Sequence, residues 1–110
     1  MQPESKDPIE QDPIIRFYRT EGDLTASSVP MIRVDLKNLI AEGVRDLVID
    51  MTNTRVIDSS GIGLLVATHN SLMRLNGKLT IKNVSQDLLE LLKVFRLDKH
   101  FSVSGDPRLG

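Results

Sequence analysis

The residues best placed to do chemistry are Asp58-Ser59-Ser60-Gly61-Ile62-Gly63. The hydrophobic run Leu47-Val48-Ile49-Asp50-Met51 precedes them, and a helical pattern from Leu64 to Leu75 follows. The stretch is therefore a crossing from a strand into a helix. A helix start presents unpaired N–H groups and the positive end of the helix dipole. Asp58, Ser59 and Ser60 all suit the N-cap, where a side-chain oxygen accepts from those N–H groups. Gly61 and Gly63 let backbone approach backbone closely. A hydroxyl here is exposed, lies beside a carboxylate and sits where added negative charge is tolerated. The same residues also spell a plain capped helix start with a tight turn, and a short motif alone does not separate the two.

Other chemistries find less support. A nucleophilic serine needs a base and an orienting acid. His69 and Asp58 are on offer, but no Gly-x-Ser-x-Gly elbow occurs, and 110 residues leave little room for a substrate pocket. No enzyme is expected. Gly61-Ile62-Gly63 lacks the third glycine of a dinucleotide fingerprint, since Val66 occupies its place. No Gly-Lys-Ser/Thr phosphate loop occurs. His69 and His100 are unclustered in sequence and the chain has no Cys, so both read as structural and no metal or cofactor is expected. Asn83-Val84-Ser85 matches a glycosylation sequon but reads as a strand-to-helix turn with Ser85 as cap.

A chain of 110 residues makes one domain. Apolar residues are 40% and charged ones 26%, enough for a core inside a soluble globule. The net charge of −1 excludes the basic surface of a nucleic-acid binder and gives no sign of membrane insertion. The apolar runs fall short of a bilayer span and no signal-peptide pattern opens the chain, so a cytoplasmic protein is expected.

Residues 1–12 are polar and proline-rich and are expected to form a flexible segment. Pro13 to Thr20 reads as a strand, and Glu21-Gly22-Asp23-Leu24 as the turn ending it. A helix runs from about Ser28 to Glu42 on the stripe Val29, Ile32, Leu36, Leu39 and Ile40, with Ser27 or Ser28 as cap and Gly43 closing it. Leu47 to Met51 reads as a central strand. The second helix carries Ile62, Leu65, Val66, His69, Leu72 and Met73 as its apolar stripe. Asn76-Gly77 closes it, Lys78 to Asn83 alternates as a strand, and Ser85 caps a third helix to about Arg96. That helix is apolar around much of its circumference, which leaves part of it for a partner. Phe101-Ser102-Val103 is a last strand, and residues 105–110 are expected to be flexible. Strands and helices that alternate in this way predict an α/β fold: a mixed, mostly parallel sheet of about four to five strands with helices mainly on one face. Sites in such folds lie past the carboxyl ends of strands, where Asp58 to Gly63 falls.

Over residues 13–104 the chain resembles the STAS domain, and within it the bacterial anti-sigma-factor antagonists. The resemblance is carried by the strand leading into Ile57-Asp58-Ser59-Ser60-Gly61-Ile62-Gly63, by Gly22-Asp23-Leu24, and by Asn76-Gly77-Lys78-Leu79 with Val84 to Phe95. It implies a non-enzymatic switch. The unmodified antagonist binds an anti-sigma factor of the GHKL serine kinase type. The kinase phosphorylates a serine, the complex breaks, and a metal-dependent serine phosphatase restores it. The motif maps the acceptor onto Ser59, with Ser60 as the neighbour, and Asp58 onto the acidic residue beside it. Gly61, Ile62, Gly63, Asp23 and Thr25 are implied to surround the phosphosite or the partner surface. Thr25 departs from the acidic residue often found there, and the usual C-terminal helix is expected to be absent or truncated. The alternatives from other classes are a constitutive STAS scaffold or adaptor, and a module sensing a small ligand such as a nucleotide or lipid.

Overall fold

The computed structural model describes residues 14–105. The expectations for residues 1–12 and for 106–110 lie outside them. The order is β1 (Ile14–Arg19), α1 (Val29–Ala41), β2 (Val44–Asp50), α2 (Ser59–Arg74), β3 (Lys78–Val84), α3 (Gln86–Val94), a 3-10 turn (Leu97–Lys99) and β4 (Ser102–Gly105). All neighbouring strands pair in parallel, in the sheet order β1-β2-β3-β4. Each crossover moves one strand in the same direction. Right-handed connections then put all the helices on one face.

The register shows which side chains meet the helices. Leu47 lies beside Leu79, and Ile49 beside Ile81. These, with Leu36, Leu64, Leu65, Leu72, Leu88 and Leu92, form the buried core. The opposite face carries Phe17 and Lys82, whose ammonium stands 5.2 Å from the Phe17 ring centre, in the range of a cation–π contact. Tyr18 points to the helix side and donates its hydroxyl to Asp35 of α1 at 2.7 Å.

Some boundaries differ from the sequence reading for physical reasons. β2 starts at Val44, because parallel pairing with β1 carries Arg45 and Asp46 into the sheet although they are polar. The α2 stripe centres on Leu64, Leu65, Thr68 and Leu72, while Met73 is exposed. α2 ends as expected at Asn76-Gly77: Asn76 is left-handed at φ 61°, and the Gly77 N–H donates to the Leu72 carbonyl at 2.7 Å. A side chain on Gly77 would overlap the Arg45 carbonyl. α3 stops at Val94 and Arg96 turns left-handed at φ 60°, which starts the 3-10 turn that no pattern announced. Gly105, read as flexible, is the last residue of β4.

One buried carboxylate ties the strand ends together. Asp50, 7% exposed, accepts from the Thr52 N–H and hydroxyl at 3.0 and 2.6 Å and from the Asn83 amide at 3.0 Å. Its other oxygen accepts from Arg19 at 3.0 and 3.2 Å. Burial pushes this carboxyl up, but the bonds from Thr52, Asn83 and Arg19 outweigh it and hold the group well below the usual carboxylate range. A depressed folded pKa gives stability that is present above the unfolded value, about 3.9, and lost as pH falls toward the folded one. Acid unfolding followed by circular dichroism should therefore steepen below about pH 4 in wild type. In Asp50→Ala that acid loss should shrink, and stability at pH 7 should fall by about 2 kcal/mol, because the Thr52 and Asn83 donors lose their acceptor.

Candidate functional site

Because every strand is parallel, the β1–α1 loop (residues 20–28) and the β2–α2 loop (51–58) emerge at the same edge. They are fastened to each other there. The Leu24 N–H donates to the Val56 carbonyl at 2.9 Å, and the Asp58 N–H donates to the Leu24 carbonyl at 3.2 Å. Leu24 and Ile57 so form a one-residue parallel bridge, and both are buried. Asp23 Oδ1 accepts from the Arg55 and Val56 N–H groups, each at 3.0 Å. The Thr54 hydroxyl reaches the Gly22 carbonyl at 2.8 Å and also pairs with Thr20.

Asp58 completes the clamp. It is the N-cap of α2, and its Oδ1 accepts from the Gly61 N–H at 3.1 Å. Its Oδ2 accepts from the Ala26 N–H of the other loop at 3.0 Å. These backbone bonds, that of Ala26 first, hold its carboxyl below the usual range. Gly61 sits beneath the bridge: a Cβ there would overlap the Leu24 carbonyl and stand 2.8 Å from Ile57 Cγ2. Gly63 has open space around it and carries no such constraint.

The motif residues thus divide. Asp23, Asp58 and Gly61 hold the two loops together, and their capping oxygens and N–H groups are spoken for. Ser59 is the first residue of α2 and is exposed, whereas Ser60 is half-buried. The Ile62 N–H already bonds the Asp58 carbonyl. Thr25 does not face Ser59 through any hydrogen bond; its hydroxyl pairs with Ser27 at 3.1 Å. Ser28, expected to cap α1, occupies the cap position but turns its hydroxyl back to the Asp23 carbonyl at 2.7 Å.

Beside Ser59 lies a cleft of about 220 Å³ between α2 and α3, lined by Ile57, Asp58, Ser59, Ile62, Leu91 and Phe95. Val94 and Phe95 next to it are 76% and 53% exposed. The sequence reading left part of α3 for a partner without saying which part. The larger groove, about 530 Å³, runs beside α1 and is lined by Glu21, Asp23 and Asp35 with Tyr18, Ser27 and Met31. Sequence patterning gave no sign of it, because its walls come from β1, the first loop and α1 together. Among the described residues no histidine stands at Ser59: His69 lies ten residues along α2, or about 15 Å at the helical rise. No helix among the described residues is long and apolar enough to cross a membrane.

Residues 7–108 match the model of the STAS domain. An anti-sigma-B factor antagonist of Staphylococcus aureus (strain NCTC 8325 / PS 47) is 30% identical over 81 residues, covering 72% of this chain and 75% of that protein. The Bacillus cell fate determinant SpoIIAA, solved in its phosphorylated form, superposes with a TM-score of 0.67 at 19% identity over 89% of each chain. A sulfate transporter family protein from Wolinella succinogenes superposes with a TM-score of 0.73 at 18% identity, over 94% of this chain and 89% of that one. These two structures share the fold.

The clamp makes Gly61→Ala the severe substitution and Gly63→Ala the mild one. In urea titrations Gly61→Ala should lose about 2–3 kcal/mol, since overpacking against backbone cannot relax. Gly63→Ala should stay within about 1 kcal/mol of wild type or gain slightly, as an exposed helical glycine replaced by alanine does.

Proposed function

The chain belongs to the STAS domain family, and on that premise we propose that it is an anti-sigma-factor antagonist working by partner switching. Unmodified, it binds an anti-sigma factor that is also a serine kinase of the GHKL type. Phosphorylation of Ser59 ends that complex, and a metal-dependent serine phosphatase restores it. On this reading it is a binding protein acting in the cytoplasm. The observation that carries the proposal is the exposure of Ser59, the residue after the Asp58 cap, on a rim where Asp58 is held by the Ala26 and Gly61 N–H groups.

The physics follows from that rim. A phosphate adds roughly −1.5 to −2 charge and three acceptor oxygens. At an open helix start it would find N–H donors. Here Asp58 already takes the Gly61 N–H, and its carbonyl takes that of Ile62. A phosphate on Ser59 therefore finds these two donors taken and lies beside a carboxylate that repels it. The fold need not change, because none of the clamp bonds uses the Ser59 hydroxyl. The change falls on whatever covers Ser59. A kinase that reaches this hydroxyl also covers the cleft that Ser59 lines, with Ile62, Leu91 and Phe95 beneath it. Desolvating a phosphate at the mouth of an apolar cleft is costly. A loss of about 3–4 kcal/mol weakens binding several-hundred-fold.

The nucleotide-sensor reading is less well supported. The groove beside α1 carries Glu21, Asp23 and Asp35, which repel the phosphates of a nucleotide.

Intact-mass analysis after incubation with ATP and the cognate kinase should show one added phosphate on wild type and none on Ser59→Ala. Addition to both moves the acceptor, with Ser60 next in order. No addition to either, with the partner still bound, makes the protein a constitutive adaptor.

Phe95→Glu should weaken binding of the unphosphorylated protein to the kinase by at least about tenfold, or 1.4 kcal/mol. Its unfolding midpoint should stay near wild type, since Phe95 is 53% exposed. Calorimetric titration and a thermal melt of the same sample read the two effects separately.

A further inference from the structure

His69 and His100 are 31 positions apart, yet the fold makes them neighbours. Their ring centres stand 6.1 Å apart, with the planes tilted by 51°. His69 comes from the second half of α2, and His100 from the end of the 3-10 turn before β4. Together with Val66, Asn70, Leu97 and Phe101 they line a cleft of about 170 Å³. Phe101 flanks His69 with its ring centre 5.5 Å away. His69 Nδ1 is buried and has no hydrogen-bond partner. A buried ring nitrogen without a partner is destabilising unless something outside the chain pairs it.

We propose that this cleft binds one divalent transition-metal ion, such as Zn²⁺, through the imidazoles of His69 and His100. Two imidazoles sharing a metal at the usual bond length of about 2.1 Å have ring centres roughly 5–6.5 Å apart, and the 6.1 Å between His69 and His100 falls in that range. The donor set is nitrogen alone, which selects zinc, copper or nickel over magnesium or calcium. Among the described residues no group of three or more His, Asp or Glu is placed to hold a metal, so this is an open site with two protein ligands. Water completes the coordination; at about 30 Å³ per water the cleft has room for the ion and its remaining ligands. The apolar walls of Val66, Leu97 and Phe101 limit competition from bulk solvent. The ion staples α2 to the turn that feeds β4. It does so about 15 Å along α2 from Ser59, so the site is separate from the proposed phosphosite.

The chain is well suited to the test, because it contains two histidines and no cysteine. Tag-free protein is stripped with chelator and titrated with zinc chloride near neutral pH by isothermal calorimetry. The expected result is one ion per chain with micromolar affinity and a rise in unfolding temperature at saturating zinc. His100→Ala should weaken zinc by at least about tenfold. Its metal-free melt should match wild type, because His100 is exposed. His69→Gln, which keeps much of the packing, should weaken zinc to the same degree. Magnesium chloride should give no saturable binding. Absence of saturation up to millimolar zinc would overturn the proposal, as would wild-type zinc affinity in His100→Ala or equal binding of magnesium.

Discussion

The site rests on one small piece of backbone pairing. Leu24 donates to Val56 and accepts from Asp58, so a single residue of the first loop acts as a strand beside the second. Without it, each loop would cross the sheet edge alone, with polar backbone groups left to water and its own conformational freedom. With it, both loops become one rim. Three features serve this contact. Gly61 supplies the absence of a side chain under the Leu24 carbonyl. Asp23 gathers the two N–H groups upstream of the bridge. Asp58 spans the gap to Ala26 while capping α2. Ser59, the proposed acceptor, is the next residue in the chain, so its position is inherited from theirs.

This arrangement decides what kind of chemistry the rim can support. A catalytic serine needs a base within hydrogen-bond reach. The one carboxylate beside Ser59 spends both oxygens on backbone N–H groups and is held below its ordinary pKa, which makes it a poor proton acceptor. The rim is built to present a hydroxyl, not to activate it. A helix start favours an anion through its N–H groups, and a carboxylate already there opposes a second one. Asp58 is that anion already. On the proposed reading, added charge at Ser59 meets that carboxylate, and its effect falls on the surface that a partner would cover.

Much of the fold could be read from the sequence because its signals are local. The stripe from Val29 to Ile40, the cap at Ser85 and the Asn76-Gly77 stop each depend on residues within a few positions of one another. What was missed depends on neighbours distant in sequence. Asp46 joins β2 because Ile15 of β1 and Lys78 of β3 pair with it, and Arg45 lies in the irregular step between Val44 and Asp46. Met73 fits the helical period but faces solvent, because the contact surface of α2 centres on Leu64, Leu65 and Leu72. Of the site, the motif itself was legible, and so was its place past a strand end. The partnership of Asp58 with Ala26 was not, since 32 positions separate them. The nearness of His69 to His100 was hidden in the same way.

The apolar surface next to Ser59 is the remaining physical oddity. Val94 and Phe95 sit in the open at the end of α3. Two shorter polar residues would fold as well, since Leu88 and Leu92 already bury that helix against the core. Burying Leu88 and Leu92 sets the rotation of α3, and that rotation turns Leu91 and Phe95 toward Ile62 across the cleft. An exposed apolar patch costs solubility and marks an interaction surface. Its position beside Ser59 is what gives a single phosphate leverage on the proposed reading. On a polar rim, added charge would be accommodated by water and neighbouring polar groups at little cost. On this one, the partner of the proposed switch must strip a dianion of water in order to reach Phe95 and Leu91. The sensitivity of the proposed switch is therefore set less by Ser59 than by the hydrocarbon around it.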